Sequence, residues 1–326
     1  MSRNSAKLVS ISIHGTRKMN DLTEIRFDRR AFLGGALGAS LIGMPLMVRA
    51  GTMPMISGLA FSGNLAFACG EGLLVSRDGG ARWSVQAGPE RRTVGITAHP
   101  ERAERLIVAL EVGGIAVSND GGGRFERKGR GLPDIGIGAL ATAAQLPDTI
   151  YAAIPGDGLW RSEDAGESWE FVMDRPFIAG EERDVLSLCS VDLASGMGGI
   201  WLYGGTRASL QRVPDCFCRW QDVQPEHALD ALVDGATESE TAPLPVGESV
   251  YALVSAPSAP SQLWAALPSG IWASEDAGLI WGRANKLDAT SLAVDPANAN
   301  NLIAATPDGL FHSRDAGQSW AASAVL

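Results

Sequence analysis

The chain is short of the residues from which most active centres are built. Its 326 residues include four histidines, four cysteines and three tyrosines. Four cysteines in this length make no disulfide framework. Cys216, Cys218 and His227 follow no zinc-site spacing, and there is no haem, flavin or iron–sulfur signature, so neither a metal nor a cofactor is expected. Only Phe217 separates Cys216 from Cys218, a spacing at which a bridge is strained. The pair is read as free or loosely paired thiols. Beyond residue 50 no apolar run reaches the roughly 20 residues that a membrane-spanning helix needs. Positive charge is scarce too. Eight of the 27 Lys and Arg but only three of the 37 Asp and Glu lie in residues 1–50, leaving 19 basic and 34 acidic residues. Such an acidic body excludes nucleic acid as the main partner.

What is present begins with Phe-Asp-Arg-Arg-Ala-Phe-Leu at residues 27–33, followed by a glycine-bearing apolar run and a small-residue site at Val48-Arg49-Ala50. The order of parts resembles a twin-arginine export signal. Residues 1–50 are therefore read as the signal and 51–326 as the exported domain, with a periplasmic or other extracytoplasmic location. An uncleaved anchor is the competing reading of the same run.

The domain repeats one phrase: SRDGGARW, SEDAGESW, SEDAGLIW and SRDAGQSW. Aligned on its aspartate, the phrase recurs at Asp78, Asp120, Asp164, Asp276 and Asp315. A worn copy at Asp215 has Val213 at the serine position and Phe217 at the glycine position. The intervals are 42, 44, 51, 61 and 39 residues, a spacing that propeller blades show. Around each copy lie four short apolar segments punctuated by Asp-Pro or Pro-Asp-Gly, the pattern of a four-stranded sheet. The fold class is all-β, a single propeller of six four-stranded blades. A seventh is left open by the longest interval, where about 224–249 reads as an acidic surface loop.

The phrase resembles the Asp-box, or BNR, repeat of sialidases, sortilin-type receptors, xyloglucan-degrading propellers and the photosystem II assembly and stability factors. It implies a structural joint: a turn with glycine at positive φ, a carboxylate accepting backbone N–H groups and an indole laid beneath. The indoles are Trp83, Trp169, Trp220, Trp281 and Trp320. Copies some 40 residues apart, each on its own blade, cannot converge on one reactant. The sialidase motif Phe/Tyr-Arg-Ile-Pro is absent. Tyr151 and Tyr203 look like packed blade residues, and none of the three tyrosines is clearly partnered by a glutamate. Asp134 and Glu181, the loop carboxylates best placed for hydrolysis, carry no motif. The chain is accordingly read as leaning away from catalysis, with a secreted glycoside hydrolase or carbohydrate-binding propeller as the alternative.

The loops that leave each fourth strand hold Arg91, Arg92, Arg127, Arg130, Arg175 and Arg183, on the propeller face opposite the repeated phrase. An arginine face on an acidic protein suits an acidic protein surface. The resemblance to the assembly factors implies a protein-binding module for a membrane or periplasmic complex. The chain departs from that type in having six recognisable repeats where that type has seven.

Overall fold

A computed structural model describes residues 55–195, 199–223 and 244–326. The signal segment and most of the long loop read from the sequence lie outside the described residues. The described chain is all β, with no α-helix, and forms a six-bladed β-propeller.

Blade one holds β1 (Ile56–Ser62), β2 (Leu65–Gly70), β3 (Leu73–Ser76) and β4 (Arg82–Gln86). Blade two holds β5 (Thr93–Ala98), β6 (Leu106–Leu110), β7 (Ile115–Ser118) and β8 (Glu126–Lys128). Blade three holds β9 (Ala139–Thr142), β10 (Ile150–Ile154), β11 (Gly158–Ser162) and β12 (Glu170–Asp174); a separate hairpin, β13 (Phe177–Ile178) with β14 (Glu181–Glu182), follows it. Blade four holds β15 (Ser187–Asp192), β16 (Ile200–Gly205), β17 (Leu210–Pro214) and β18 (Gln221–Asp222). Blade five holds β19 (Ala252–Ala256), β20 (Ala259–Leu267), β21 (Gly270–Ser274) and β22 (Gly282–Asn285). Blade six holds β23 (Ser291–Asp295), β24 (Asn298–Thr306), β25 (Gly309–Ser313) and β26 (Ala321–Ala322). The chain ends in β27 (Ala324–Val325).

Within each blade the strands run antiparallel in sequence order. The second strands are apolar without alternation: Ile150, Tyr151, Ala152, Ala153 and Ile154 are all buried, as is every residue of β6. A strand reads this way when both faces of its sheet are covered, and here each face meets a neighbouring blade. The core is divided accordingly into six clusters, one per blade junction. Phe67, Leu73 and Val75 meet Leu106, Val108 and Leu110 between blades one and two. Leu59 and Trp83 meet Ile303 and Leu310 between blades one and six. Fourth strands lie at the outer edge of each blade and are largely exposed or half-buried, as in Glu126–Lys128 and Ala321–Ala322.

The ring closes through the last residues. β27 lies parallel to β4, with Ala324 opposite Arg82 and Val325 opposite Trp83. The Ala324 and Leu326 N–H groups donate to the Ala81 and Trp83 carbonyls at 2.9 and 2.8 Å. The first and sixth blades are thus each built from one continuous stretch, and closure is an added strand on blade one.

Candidate functional site

The repeated turns are built alike in five blades. The serine hydroxyl at Ser76, Ser118, Ser162, Ser274 and Ser313 donates to the aspartate Oδ1 at 2.8–2.9 Å. The serine Oγ in turn accepts the N–H of Gly80, Gly122, Gly166, Gly278 or Gly317 at 2.9 Å. The aspartate Oδ1 also accepts a backbone N–H four residues on, from Arg82, Arg124, Ser168, Ile280 and Ser319. Indole N–H groups of Trp83, Trp169, Trp281 and Trp320 donate to the turn glycine carbonyl at 2.7–3.2 Å. Two successive residues of each turn take positive φ, for example Gly79 at 67° and Gly80 at 94°. A Cβ on Gly80 would lie 2.3 Å from Ile303 Cγ2, so glycine is needed there for space as well as for φ.

Each turn also receives a side chain from the preceding blade. Arg105 Nη2 donates to Ala165 O at 2.5 Å, Tyr203 Oη to Ala277 O at 2.9 Å and Trp264 Nε1 to Ala316 O at 2.8 Å. Between blades six and one, Arg314 Nη2 reaches Asp78 O at 2.6 Å and Ser323 Oγ reaches Gly80 O at 2.5 Å.

Blade four departs from this plan. Val213 brings no hydroxyl, and Asp215 accepts from Tyr151 Oη of blade three at 2.5 Å. Burial first, and then this carboxylate, push the Tyr151 hydroxyl well above the ordinary tyrosine range. Trp220 Nε1 donates to Asp174 O at 2.9 Å, again across the junction. The reading of Cys216 and Cys218 as free or loosely paired thiols is corrected: they form a disulfide. The geometry permits it because Phe217 sits at φ 51° and its N–H donates to Pro214 O at 2.8 Å. This folds the turn until the two Cα atoms are 5.4 Å apart. Cys69 and Cys189 are free and buried, their thiols pushed up by burial to about 11 and about 12.

The six arginines read as a binding face sit at three successive blade junctions. Four are ion-paired within their own junction: Arg92 with Glu111 at 2.9 Å, Arg127 with Asp134 at 3.2 Å, Arg175 with Glu182 and with Asp184 at 3.0 Å, and Arg183 with Glu181. Arg91 and Arg130 are exposed. The position of Arg130 differs from the expectation of a face clear of the repeated turns. Its N–H donates to Glu167 O, and its carbonyl accepts from Trp169 N, both in the turn of blade three. The chain leaving each outer strand is tilted enough to run beside the next blade's turn, as β27 does beside β4.

Two cavities stand out. A central channel of about 280 Å³ is bounded by the six inner strands and by mostly small side chains such as Gly58, Ala60, Gly95 and Ala141. Among the described residues lining it, Asp192 is the single carboxylate. A cleft of about 910 Å³ lies between blades three and four, lined by Arg175, Phe177, Cys218, Arg219, Trp220 and Asp222 among others. Phe177, on the small β13–β14 hairpin, is 72% exposed at its edge. Sequence reasoning missed this cleft. Its signal was the Ala179-Gly180 pair inside the longest arginine loop, which turns the hairpin at φ 54° and 92°.

The fold has wide company. The chain is 16% identical to a GH74 enzyme of Niastella koreensis over 82% of its own length and 45% of that chain, with a TM-score of 0.55. It is 15% identical to the extracellular domain of BT4673 from B. thetaiotaomicron over 82% of its length and 33% of that chain, TM-score 0.51. YCF48 from Cyanidioschyzon merolae is 14% identical over 79% and 81%, TM-score 0.48. The chain thus spans less than half of the GH74 enzyme. No protein-family model and no curated protein matches the chain.

Proposed function

We propose that the chain is an exported Asp-box propeller that binds a protein partner and serves the assembly or upkeep of a membrane or periplasmic complex, without hydrolytic chemistry of its own. The single observation that carries this reading is the Phe177–Glu182 hairpin beside the cleft between blades three and four. An aromatic ring 72% exposed, flanked by an arginine held in place by two carboxylates, has the form of an interface anchor: an apolar side chain with pre-ordered polar neighbours. Arg183 at the same junction, and Arg91, Arg92, Arg127 and Arg130 at two further ones, extend the surface and suit a partner presenting acidic groups. The paired arginines give geometry; exposed Arg91 and Arg130 give charge. Two features weigh against glycoside hydrolysis. The channel brings a single described carboxylate, where the two-carboxylate mechanism needs a pair. Each aspartate of the repeated turns is occupied by its own turn or, at Asp215, by Tyr151. Arg29 and Arg30, ahead of an apolar run, support the export route, and among the described residues no helix is long and apolar enough to cross a membrane.

The test is affinity capture from detergent-solubilised native membranes, using the 51–326 chain. Wild type is expected to retain a defined complex. A variant carrying Phe177→Ser, Arg91→Glu and Arg130→Glu should lose it by about tenfold or more while melting at the same temperature. Equal capture by the two proteins would overturn the reading.

A further inference from the structure

We infer that the Cys216–Cys218 disulfide is an exchange site, through which the propeller oxidises a dithiol in an extended polypeptide lying in the cleft between blades three and four. The inference rests on the proposal that this cleft receives a protein segment, and adds the chemistry done there.

Four observations carry it. Both sulfurs belong to exposed residues, whereas Cys69 and Cys189 are buried with thiols raised by burial and are chemically quiet. Exposed disulfides are the labile class; structural ones are protected from attack. Secondly, Cys218 lines the cleft together with Arg175, Arg219 and Phe177. The guanidinium of exposed Arg219 favours thiolate over thiol, both for an incoming sulfur and for a leaving one, and the exposed ring of Phe177 offers an apolar hold for an unfolded segment. Thirdly, the turn is anchored without the covalent bond. The Phe217 N–H is bonded to Pro214 O. Its ring lies 6.0 Å from that of Tyr151 and 5.5 Å from the Arg161 guanidinium carbon. Reduction would therefore leave the two thiols facing each other. Fourthly, Phe217 holds a positive φ that L side chains seldom adopt, while its five counterparts in the other turns are glycines. A purely structural turn at this place had the serine and glycine solution available, used five times in the same ring.

The step balances as a two-electron exchange. A thiolate of the bound segment attacks Cys218 Sγ, forming a mixed disulfide. The Cys216–Cys218 bond breaks, and Cys216 leaves as a thiolate that takes up a proton from solvent. The segment's second thiolate then attacks its own sulfur in the mixed disulfide and expels the Cys218 thiolate, which is protonated in turn. The segment ends as a disulfide and the propeller as a dithiol, one equivalent per chain.

The experiment mixes the oxidised 51–326 chain with a synthetic extended peptide carrying two cysteines, acidic residues and leucines. Parallel samples receive glutathione at equal thiol concentration, and free thiols are read by alkylation and intact mass. Exchange with the peptide is expected to be about tenfold faster than with glutathione. Phe177→Ser should bring the peptide rate down to the rate that wild type shows with glutathione. Cys216→Ser, which keeps Cys218 as a lone thiol, should trap the oxidised peptide as a mixed disulfide. The melting temperature should stay nearly constant on reduction. The inference is overturned if the pair reacts only after denaturation, if reduction unfolds blade four, or if peptide and glutathione react alike. A dicysteine-to-diserine peptide, followed by fluorescence anisotropy, separates the two proposals. If it binds and the dithiol form fails to exchange, the chemistry is wrong and the docking stands. If it does not bind, the docking is wrong as well.

Discussion

The carboxylate of the repeated turn is a residue whose charge the fold uses. Asp78 is lowered from 3.8 to about 2, first by the Arg82 side chain and then by the Arg82 N–H. Asp120 is lowered chiefly by the Arg124 N–H and Asp315 by the Ser319 hydroxyl. A carboxyl whose folded value lies below its unfolded one stabilises the fold while ionised, so the benefit is complete above the unfolded value and fades as pH falls toward the folded one. The melting temperature is expected to hold above about pH 5 and to fall between about pH 4 and 2. Asn at 78, 120 and 315 together should flatten that slope, and an unaltered slope in thermal melts would refute the assignment. The serine beneath matters in a different way. Ser162 is buried, and Ser162→Ala would strand the Gly166 N–H at a cost of about 1–2 kcal/mol by denaturant titration. Gly80→Ala should cost at least as much, given φ 94° and the Ile303 methyl 2.3 Å from the new Cβ. These roles were legible in the sequence because Ser, Asp, Gly and Trp recur at fixed offsets. The bond between Tyr151 and Asp215 was not, since nothing near residue 151 marks its partner 64 positions away.

At the scale of the strand, one position explains how blades are joined. The residue of the second strand that pairs with the turn serine, or with Val213, is Ala66, Leu106, Ile150, Leu202, Leu263 or Leu302. The next residue along points at the following blade's turn. Tyr203 and Trp264 place a donor on its carbonyl there, Tyr151 places one on its carboxylate, and Ile303 fills the space over Gly80. Where this position is Ile107, the bond comes from Arg105, two residues earlier. Tyr203→Phe should lower stability by about 1 kcal/mol. Tyr151→Phe should cost more, because it leaves a carboxylate without its partner at a packed junction; equal losses in urea titrations would argue against the difference. Periodicity revealed the strands, since it needs only apolar spacing. It could not reveal the links, which are made by tyrosine, tryptophan, arginine or isoleucine according to junction and so form no phrase. The cleft escaped for a related reason: its lining comes from residues 173–179 and 211–222, segments that meet only after the blades pack.

For the whole molecule, the count of blades was readable and the manner of closure was not. Six copies of the phrase correspond to six sheets, whereas Ser323-Ala-Val reads as the end of the last unit's fourth strand, with nothing to announce the separate β27. Removing residues 323–326 takes away β27 and the hydroxyl bonded to Gly80 O. The shortened chain is expected to melt several degrees lower and to be cut by protease first within blade one, whereas loss of stability without early cleavage there would place the weakness elsewhere. The strand that finishes the circle meets a partner more than 230 residues upstream, and contacts so remote in sequence form late. Until they form, the outer edge of β4 stands ready for any matching strand, including the tail of another copy. Concentrated refolding should therefore yield chains linked tail to head, in which each molecule supplies the last strand of its neighbour and none its own.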